Sequence, residues 1–390
     1  MLVGERREIA VVGGGPIGLA IAWRCAQRGM RVTVYDPAVG SGASDVAAGM
    51  LAPVAEAYFG EEALTALLVE SAGRWPSFVE ELRQASGMDV GYRAEGTLVV
   101  ALTADDLAAA RRLWTYQQEL GLAITALPPG RLREREPLLS PRVRGGAYAP
   151  DDHQVDPRRL TAALRSAAER VGVVILPEPV AELSEVAADT VVVAAGHATA
   201  ALTGLPVRPV KGQVLRLRAP GDATLGFRHV IRGYADGRPV YLVPRDNGEV
   251  VVGATVEERS DATVTAGAVL DLLRAAVDLV PEIAEYDLVE TRVGLRPGTP
   301  DNAPLLGALP GRAGVIVAAG HYRHGIVLAP VTADLIAELV VTGVPNPMLA
   351  PFAPERFRAV VAGRSIGQAT GVLQRSPDHT PSKRSISSAR

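Results

Sequence analysis

Apolar and polar positions near the start of the chain form blocks with the lengths of a strand, a helix and a second strand. Residues 9–12 are apolar and end in three glycines, and residues 17–28 are then apolar at helical spacing. Pro16 suits the first turn of that helix, and Gly29 suits the position just after its end. Residues 31–35 alternate as a strand. The pattern predicts a parallel strand–helix–strand unit.

The pattern changes in the middle of the chain and then returns. Residues 130–141 are expected to form a polar loop, and the turn at 246–248 predicts a hairpin. The middle block predicts an antiparallel sheet with helices, which interrupts the parallel domain. Helices are expected over residues 61–85, 104–121, 157–171, 266–280 and 326–341. Further strands are expected over residues 96–102, 190–195, 210–217, 239–243, 249–255 and 314–319.

Composition and charge remove several classes of function. The 390 residues are 48% hydrophobic and 21% charged, which excludes a largely disordered chain, and the net charge of −3 does not indicate a nucleic-acid partner. Cys25 is the single cysteine, so we expect a reducing compartment. The longest apolar stretch, residues 326–341, carries Pro330, Asp334 and Glu338, and no signal-peptide pattern precedes it. We therefore expect a cytoplasmic protein that does not bind a membrane.

The glycines after the first strand carry a specific chemical prediction. Gly13 permits a tight turn, Gly15 lets the backbone approach a pyrophosphate, and Gly18 lets the helix pack on the strands. The start of the helix offers free N–H groups to phosphates. Asp36, at the end of the second strand, can accept hydrogen bonds from ribose hydroxyls. The pattern predicts dinucleotide binding but does not by itself distinguish NAD from FAD.

Three other segments have the composition that the long flavin end of FAD requires. Residues 41–50 are small enough for close approach to a flat ring, residues 191–196 end a strand in glycine, and residues 319–326 lead into a helix. Each segment also has a purely structural interpretation, respectively as a surface loop, a core strand and an ordinary strand-to-helix connection.

Two arginines in glycine-flanked turns, Arg296 and Arg323, are candidates for binding a carboxylate. The alternative is structural ion pairing. His321 and His324 lie on a loop without a neighbouring cysteine or carboxylate, so we expect no metal site. Gly-x-Ser-x-Gly does not occur, so hydrolase chemistry has no support.

Taken together, several motifs resemble the glycine oxidases of thiamine biosynthesis, a branch of the D-amino-acid oxidase family of FAD-dependent amine oxidases. The resemblance covers residues 8–360 and keeps the order and spacing of that family. It departs from the family at His324, where asparagine is usual. The motifs that carry it are residues 13–18, 43–53, 211–213, 241–244, 294–298 and 320–330.

The resemblance implies an α/β fold with two domains. The first is a Rossmann-like FAD-binding domain of the glutathione-reductase type, formed by residues 1–85, 145–205 and 290–363. The second is an inserted α+β substrate domain built on an antiparallel sheet, formed by residues 86–144 and 206–289. Residues 364–390 are expected to be a disordered tail.

The resemblance also implies roles for individual residues. No side chain is expected to be catalytic, because the flavin N5 atom performs the chemistry. Substrate binding is expected from Arg296, Arg323, Tyr241 and Met50. Binding of non-covalent FAD is expected from Gly13, Gly15, Pro16, Ile17, Gly18, Asp36, Pro37, Ala43, Ser44, Ala48, Gly49, Met50, Val180, Gly196, His321, Tyr322, Arg323, His324, Gly325, Ile326 and Val327.

The implied activity is oxidative deamination of glycine, sarcosine or small D-amino acids to the imino or oxo acid, with release of ammonia and hydrogen peroxide. Dioxygen is the expected acceptor, and the glycine imine would supply the thiazole of thiamine, which implies a functional link to thiazole synthase. A homo-oligomer is expected. Three alternatives stay open: a flavin dehydrogenase for D-amino acids, proline or sarcosine that passes electrons to a partner, an NAD-dependent dehydrogenase, and a non-catalytic flavoprotein subunit.

Overall fold

The structure is a computed structural model that describes residues 7–221 and 226–357. The expected disordered tail, residues 364–390, lies outside this part of the chain. Labels below follow chain order.

The strands of the described residues are β1 (Glu8–Val12), β2 (Arg31–Tyr35), β3 (Met50–Leu51), β4 (Thr97–Ala101), β5 (Thr125–Leu127), β6 (Gly145–Ala149), β7 (His153–Gln154), β8 (Val174–Leu176), β9 (Thr190–Val193), β10 (Arg208–Arg218), β11 (Val230–Ala235), β12 (Arg238–Pro244), β13 (Glu249–Gly253), β14 (Asp287–Gly298), β15 (Leu305–Ala308) and β16 (Val315–Ala319). The α-helices are α1 (Pro16–Gln27), α2 (Ala43–Val46), α3 (Glu62–Ser86), α4 (Ala104–Glu119), α5 (Pro129–Arg135), α6 (Pro157–Arg170), α7 (Thr199–Thr203), α8 (Ala266–Leu279) and α9 (Ala329–Thr342).

A six-stranded sheet holds the first structural unit together, in the order β15-β16-β9-β1-β2-β8. All neighbours are parallel except β15 and β16. Its strands are almost continuously apolar because both faces are buried. Helices α1, α3, α6 and α9 form the core on one face, with Trp23, Trp75 and Phe78. Leu183, Leu205 and Leu309 pack in the core on the other face. From β1 the chain passes to β2 on one side, while β9 lies on the other. Such a switch point leaves a crevice at the carboxyl ends of the strands.

An eight-stranded sheet forms the second unit, in the order β14-β10-β13-β12-β11-β4-β6-β5. Its pairs are antiparallel except β4 with β11. Helix α8 covers one face through Leu272, Ala276 and Leu279, which are buried against Leu215 and Leu242. The opposite face is turned toward the crevice of the first sheet. The predicted α/β fold, with a Rossmann-like domain and a substrate domain on an antiparallel sheet, is confirmed.

The observed sheet membership differs from the expected domain boundaries at two strands. β6 and most of β14 fall in segments assigned to the FAD-binding domain, 145–205 and 290–363, yet both strands lie in the eight-stranded sheet. Neither strand has the alternating burial of an ordinary sheet strand. β14 is instead fixed by its long pairing with β10.

The local predictions failed where the sequence lacked a clear period. The loop expected over residues 130–141 begins with helix α5, which has Leu132 as its buried side chain. The strands that were not predicted are β3, β5, β6, β7, β8, β11, β14 and β15. Arg296 was expected in a glycine-flanked turn but lies within β14. The last helix starts at Ala329, three residues later than expected, because residues 320–328 form an irregular connection.

Among the described residues, no single helix has the length and apolarity needed to cross a bilayer. Helix α9 and Pro347–Phe357 reach that length and apolarity only together, and they meet at an angle of 107°.

Candidate functional site

A cavity of about 900 Å³ lies between the two sheets. Its walls include the carboxyl ends of four parallel strands, β1, β2, β9 and β16, together with the inner face of the eight-stranded sheet. A volume in this range holds a large organic ligand. The wall has two chemically different parts. One part, which we call the glycine end, is formed by Gly13, Gly15, Asp36, Val180 and Gly196. The other, which we call the arginine end, is formed by Glu56, Arg232, Tyr241, Arg296 and Arg323.

The turn after β1 needs glycine at two positions for reasons internal to the protein. Gly13 has φ +114°, and a Cβ there would lie 2.3 Å from the carbonyl oxygen of Ala194. A Cβ on Gly18 would lie 1.9 Å from the carbonyl oxygen of Gly13. Both glycines therefore permit close packing of α1 and β9 against the turn.

Gly15 differs from these two glycines. Its φ of −79° suits any residue, and a Cβ there would meet no protein atom within 4 Å. The packing of the protein does not require glycine at this position. A ligand in the cavity that approaches the backbone closely would require it. This free space fits the pyrophosphate of a dinucleotide.

The start of α1 is also suited to an anion. Gly15 provides no capping side chain, and the first turn of the helix contains no acidic residue, so its N–H groups and partial positive charge face the cavity. Asp36 lies beside this turn, where its carboxylate accepts hydrogen bonds from the N–H groups of Gly14 at 2.6 Å and Ala38 at 2.7 Å. A carboxylate has about four lone-pair sites. Acceptor positions therefore remain for ribose hydroxyls.

A second loop, residues 43–50, brings main chain against the cavity. Gly49 has φ +78°, and a Cβ there would lie 2.0 Å from the carbonyl oxygen of Val155. Behind the loop, Arg245 is 5% exposed and donates to the carbonyl oxygens of Ala48 and Val155. Burial lowers the pKa of this guanidinium to about 10, so it stays charged at neutral pH. A buried cation thus holds the shape of the loop.

The third loop, residues 320–327, is fixed by contacts on both sides. Tyr322 has φ +48°, and its N–H donates to the carbonyl oxygen of Pro297. The His321 ring lies 3.1 Å from the hydroxyl of Thr332 on α9. Burial lowers the pKa of His321 to about 3 and that of His324 to about 4. Both rings are therefore neutral at physiological pH.

The arginine end begins with Arg296 on β14. Its Nη1 donates to the carbonyl oxygen of Thr255 at 3.0 Å, and the guanidinium lies where a Cβ on Gly212 would be, 2.3 Å from Nη1. Tyr241 is seated in the same way over Gly253, whose Cβ would lie 2.4 Å from the hydroxyl. Glycines on the neighbouring strands β10 and β13 make room for both side chains.

Arg296 has no carboxylate within 4.0 Å among the described residues. Its guanidinium contacts the carbonyl oxygens of Lys211 and Thr255 and the hydroxyl of Tyr241, all of which are uncharged. A cation of this kind at a cavity wall suits the carboxylate of a ligand, because a guanidinium binds a carboxylate through two parallel hydrogen bonds. Burial raises the pKa of the neighbouring Tyr241 hydroxyl despite the nearby arginine charges, so this group stays protonated and can donate.

An ionised acid, Glu56, completes the arginine end. Its carboxylate lies 2.5 Å from Nη1 of Arg232 on β11 and 3.4 Å from Nη2 of Arg323 on the third loop. Burial opposes ionisation of Glu56. The charges of Arg232 and Arg323 and the contact with Arg232 outweigh this effect and hold the pKa of Glu56 at about 2. Glu56 therefore joins three segments that are distant in sequence.

The structure brings nearly all the predicted site residues to one cavity. Gly18 is the exception: it is absent from the wall and packs α1 against the turn. The predicted residues that line the cavity are Gly13, Gly15, Pro16, Ile17, Asp36, Pro37, Ala43, Ser44, Ala48, Gly49, Met50, Val180, Gly196, Tyr241, Arg296, His321, Tyr322, Arg323, His324, Gly325, Ile326 and Val327. Their individual roles stay predictions.

Sequence reasoning missed Glu56 and Arg232. Glu56 lies just beyond the small-residue segment that was predicted to line the flavin. Arg232 is the cross-strand partner of Tyr241 in the β11–β12 hairpin. Counting back across that hairpin would have placed Arg232 beside a predicted site residue, but β11 was not recognised as a strand.

The described residues also bear on metal binding and on covalent attachment of a cofactor. Within 7–221 and 226–357, no group of three or more histidine, cysteine or acidic side chains is placed to hold a metal ion. Cys25 is buried in α1, and burial raises the pKa of its thiol to about 12. It is not part of the cavity wall.

Comparison with known proteins agrees with this geometry. A family model described as FAD dependent oxidoreductase matches residues 8–339. The glycine oxidase of Geobacillus kaustophilus (strain HTA426) is 35% identical over 379 residues, which cover 90% of this chain and 97% of that protein. The crystal structure of glycine oxidase from Geobacillus kaustophilus superimposes with a TM-score of 0.83, covering 90% of this chain and 99% of that one.

Two other relatives extend the comparison. The bifunctional protein ThiO/ThiG of Synechocystis sp. is 35% identical over 90% of this chain, which spans 54% of that longer protein. The iminodiacetate oxidase IdaA from Chelativorans sp. BNC1 is 28% identical and has a TM-score of 0.79, covering 89% of this chain and 98% of that one. The predicted family and the predicted FAD cofactor are confirmed. The chain belongs to the family of FAD-dependent oxidoreductases that includes glycine oxidase.

Proposed function

We propose that the protein oxidises glycine, and small amines such as sarcosine or small D-amino acids, with dioxygen as the electron acceptor. Glycine, dioxygen and water are converted to glyoxylate, ammonia and hydrogen peroxide. The observation that carries this proposal is Arg296, a cation at the cavity wall without a carboxylate partner among the described residues. It is suited to holding the carboxylate of an amino acid.

The residues present fit FAD, which when bound would accept the hydride of the C–H oxidation and, with it, both electrons. The open space at Gly15 and the uncapped start of α1 receive the pyrophosphate. Asp36 accepts from the ribose, and Val180 lies on the adenine side. Small residues at 43–50 and the third loop, residues 320–327, would enclose the flavin. Non-covalent binding is supported by the burial of Cys25 away from the cavity wall.

This chain contributes positioning more than proton transfer. Arg296 and the protonated Tyr241 hydroxyl both donate to the substrate carboxylate, which fixes the amino acid relative to the cofactor. His321 and His324 are neutral and buried, so they add no charge next to the flavin. Glu56 stays ionised and paired. The amine must lose its proton before oxidation, and water can accept that proton.

The wider biological setting is also part of the proposal. The resemblance to the ThiO part of a ThiO/ThiG fusion supports a link to thiazole synthase, which would take up the glycine imine. The single cysteine supports a cytoplasmic location. Strand β14 is at the edge of its sheet and leaves Leu288 and Val289 about half exposed, which supports a homo-oligomer.

The test is the visible spectrum of the purified holoenzyme before and after anaerobic addition of glycine. The expected result is a flavin absorption band that bleaches with glycine and returns when air is admitted, with formation of hydrogen peroxide. A band that glycine and sarcosine both leave unchanged would contradict the proposed function. If the band bleaches but returns only with an artificial electron acceptor, the protein is a dehydrogenase and not an oxidase.

A further inference from the structure

Positive charge at the arginine end exceeds what one substrate carboxylate needs. Four arginines line this part of the cavity and its mouth, whereas Glu56 is the one acidic residue there. Glu56 is ionised and removes one positive charge. His321 and His324 are neutral and do not change the balance. The arginines are Arg112, Arg232, Arg296 and Arg323.

Two of these arginines share a single carboxylate. Glu56 is the one acidic side chain within 4.0 Å of Arg232 or Arg323 in the described part of the chain. Within 4.0 Å the pair Arg232 and Arg323 is therefore met by a single negative charge. Glu61 acts on Arg323 from farther away, and burial raises the pKa of Asp152, near Arg232, to about 7, so that this acid is only partly ionised at neutral pH. The Arg323 side chain is 41% exposed, and its contact with Glu56 is the longer of the two. It can offer donor groups to a ligand without losing its acidic partner.

The excess charge is close to the position proposed for the amino acid. Arg232 and Tyr241 are directly opposite one another on β11 and β12, and residues paired in this way lie roughly 5 Å apart. Tyr241 in turn lies close enough to Arg296 for that guanidinium to act on its pKa. Tyr241 therefore separates two cationic positions. Because both Arg296 and Arg232 act on the pKa of the Tyr241 hydroxyl, a short ligand with an anionic group at each end can meet both cations.

We propose that Arg232, Glu56 and Arg323 form a second anion subsite, and that the substrates of this enzyme include amino acids with a second carboxylate a few bonds from the amine. Arg296 holds one carboxylate, and the Arg232–Glu56–Arg323 cluster holds the other. The inference rests on the proposed function of the same site. It adds a substrate class in which iminodiacetate is the simplest probe.

The reaction with this probe balances in the same way as the reaction with glycine. Iminodiacetate, dioxygen and water give glyoxylate, glycine and hydrogen peroxide. The C–H bond next to nitrogen is oxidised by two electrons, dioxygen is reduced, and water then cleaves the C–N bond of the imine. The glycine released is itself a substrate of the proposed function.

Binding of a pair of inert analogues to the holoenzyme tests the subsite directly. Glutarate has the shape of iminodiacetate with a methylene in place of the amine, and glutaramate has the same shape with one carboxylate replaced by an uncharged amide. Dissociation constants come from perturbation of the flavin spectrum. We expect glutarate to bind at least about tenfold more tightly, which is the effect of one charge-assisted hydrogen bond. A ratio near one would overturn the inference.

Variants locate the effect. Arg232→Gln and Arg323→Gln are each expected to reduce the glutarate preference several-fold, because each removes a cation next to the distal carboxylate. Arg218→Gln, which removes an exposed arginine paired with Glu249 outside the cavity, is the matched control and should keep the wild-type ratio. A preference that persists in both Arg232→Gln and Arg323→Gln would contradict the assignment of the subsite.

A kinetic comparison separates this inference from the proposed function. We expect kcat/KM for iminodiacetate to exceed that for its monoamide by about tenfold. If glycine is oxidised while the monoamide is as good a substrate as iminodiacetate, the subsite is wrong and the proposed function stands. If glutarate binds preferentially but no amine bleaches the flavin, the subsite stands and the proposed function is wrong.

Discussion

The two ends of the cavity are built from different parts of the polypeptide. At the glycine end, short segments of main chain form the cavity wall: the turn at Gly13–Gly15, the start of α1 and the end of β9. At the arginine end, long side chains from separate strands and loops converge, and they depend on one another for position and charge. The glycine end depends on the absence of side chains, whereas the arginine end depends on contacts between particular side chains.

This difference predicts opposite responses to mutation. At Gly13 the glycine end does not tolerate a single added carbon, because a Cβ strikes backbone atoms that cannot move, whereas Gly15 has free space around it. The arginine end tolerates small changes in volume but depends on charge, because its groups are coupled. The following substitutions test this contrast.

The largest effect is expected at Gly13. Gly13→Ala places a Cβ against the carbonyl of Ala194 on left-handed backbone, and should lower the free energy of unfolding by roughly 2–4 kcal/mol. Gly15→Ala is the matched variant: the apoprotein should keep the wild-type Tm while FAD binds more weakly. Thermal unfolding of the apoproteins and titration with FAD measure both effects. If both substitutions destabilise the apoprotein equally, then Gly15, like Gly13, is required for packing and not for space for a ligand.

Next in size is the loss of Arg296. Arg296→Ala should raise KM for glycine by about 100-fold, because a charge-assisted contact worth about 3 kcal/mol disappears. Bound FAD should remain, since Arg296 belongs to the other end of the cavity. Steady-state kinetics and the flavin spectrum report the two ends separately. A wild-type KM in this variant would exclude Arg296 as the carboxylate ligand.

A smaller effect is expected at Tyr241. Tyr241→Phe removes one donor and leaves the ring seated over Gly253, so KM should rise about tenfold, equivalent to about 1.4 kcal/mol. Arg218→Gln serves as a control remote from the cavity. A wild-type KM in Tyr241→Phe would show that the hydroxyl does not contribute to substrate binding.

The smallest effect concerns pH and belongs to the third loop. Burial lowers the pKa of His324 from 6.5 to about 4. Below pH 6.5 the unfolded chain therefore binds a proton that the folded chain does not, and stability falls as the pH drops from about 6.5 toward 4. His324→Asn, which restores the residue usual in the family, should flatten this fall by up to about 1.4 kcal/mol per pH unit. Unfolding measured from about pH 8 to about pH 6, over which the difference amounts to roughly 0.8 kcal/mol, tests it. Parallel curves for the two proteins would show that His324 is not buried as a neutral ring.

The glycine end was predictable from sequence because its determinants are local. Residues 9–36 contain the strand, the turn, the helix and Asp36 in one run, and the structure places β1, α1 and β2 within a residue of the predicted limits. Gly18 was expected both to let the helix pack on the strands and to belong to the FAD site. In the structure it packs α1 against the turn and is absent from the cavity wall.

The sequence by itself determined the parallel strand–helix–strand unit, the family and the residues with the right chemistry, because periodicity and glycine spacing are properties of contiguous chain. Only the tertiary structure decided that Glu56 and Arg232 meet Arg323, and that Gly212 and Gly253 make room for Arg296 and Tyr241. Pairing among strands β10–β14 brings the glycines to Arg296 and Tyr241, whereas Glu56 and Arg323 lie on connections outside that sheet. Strand pairing of that kind is set by packing across the whole sheet, and no local pattern specifies it.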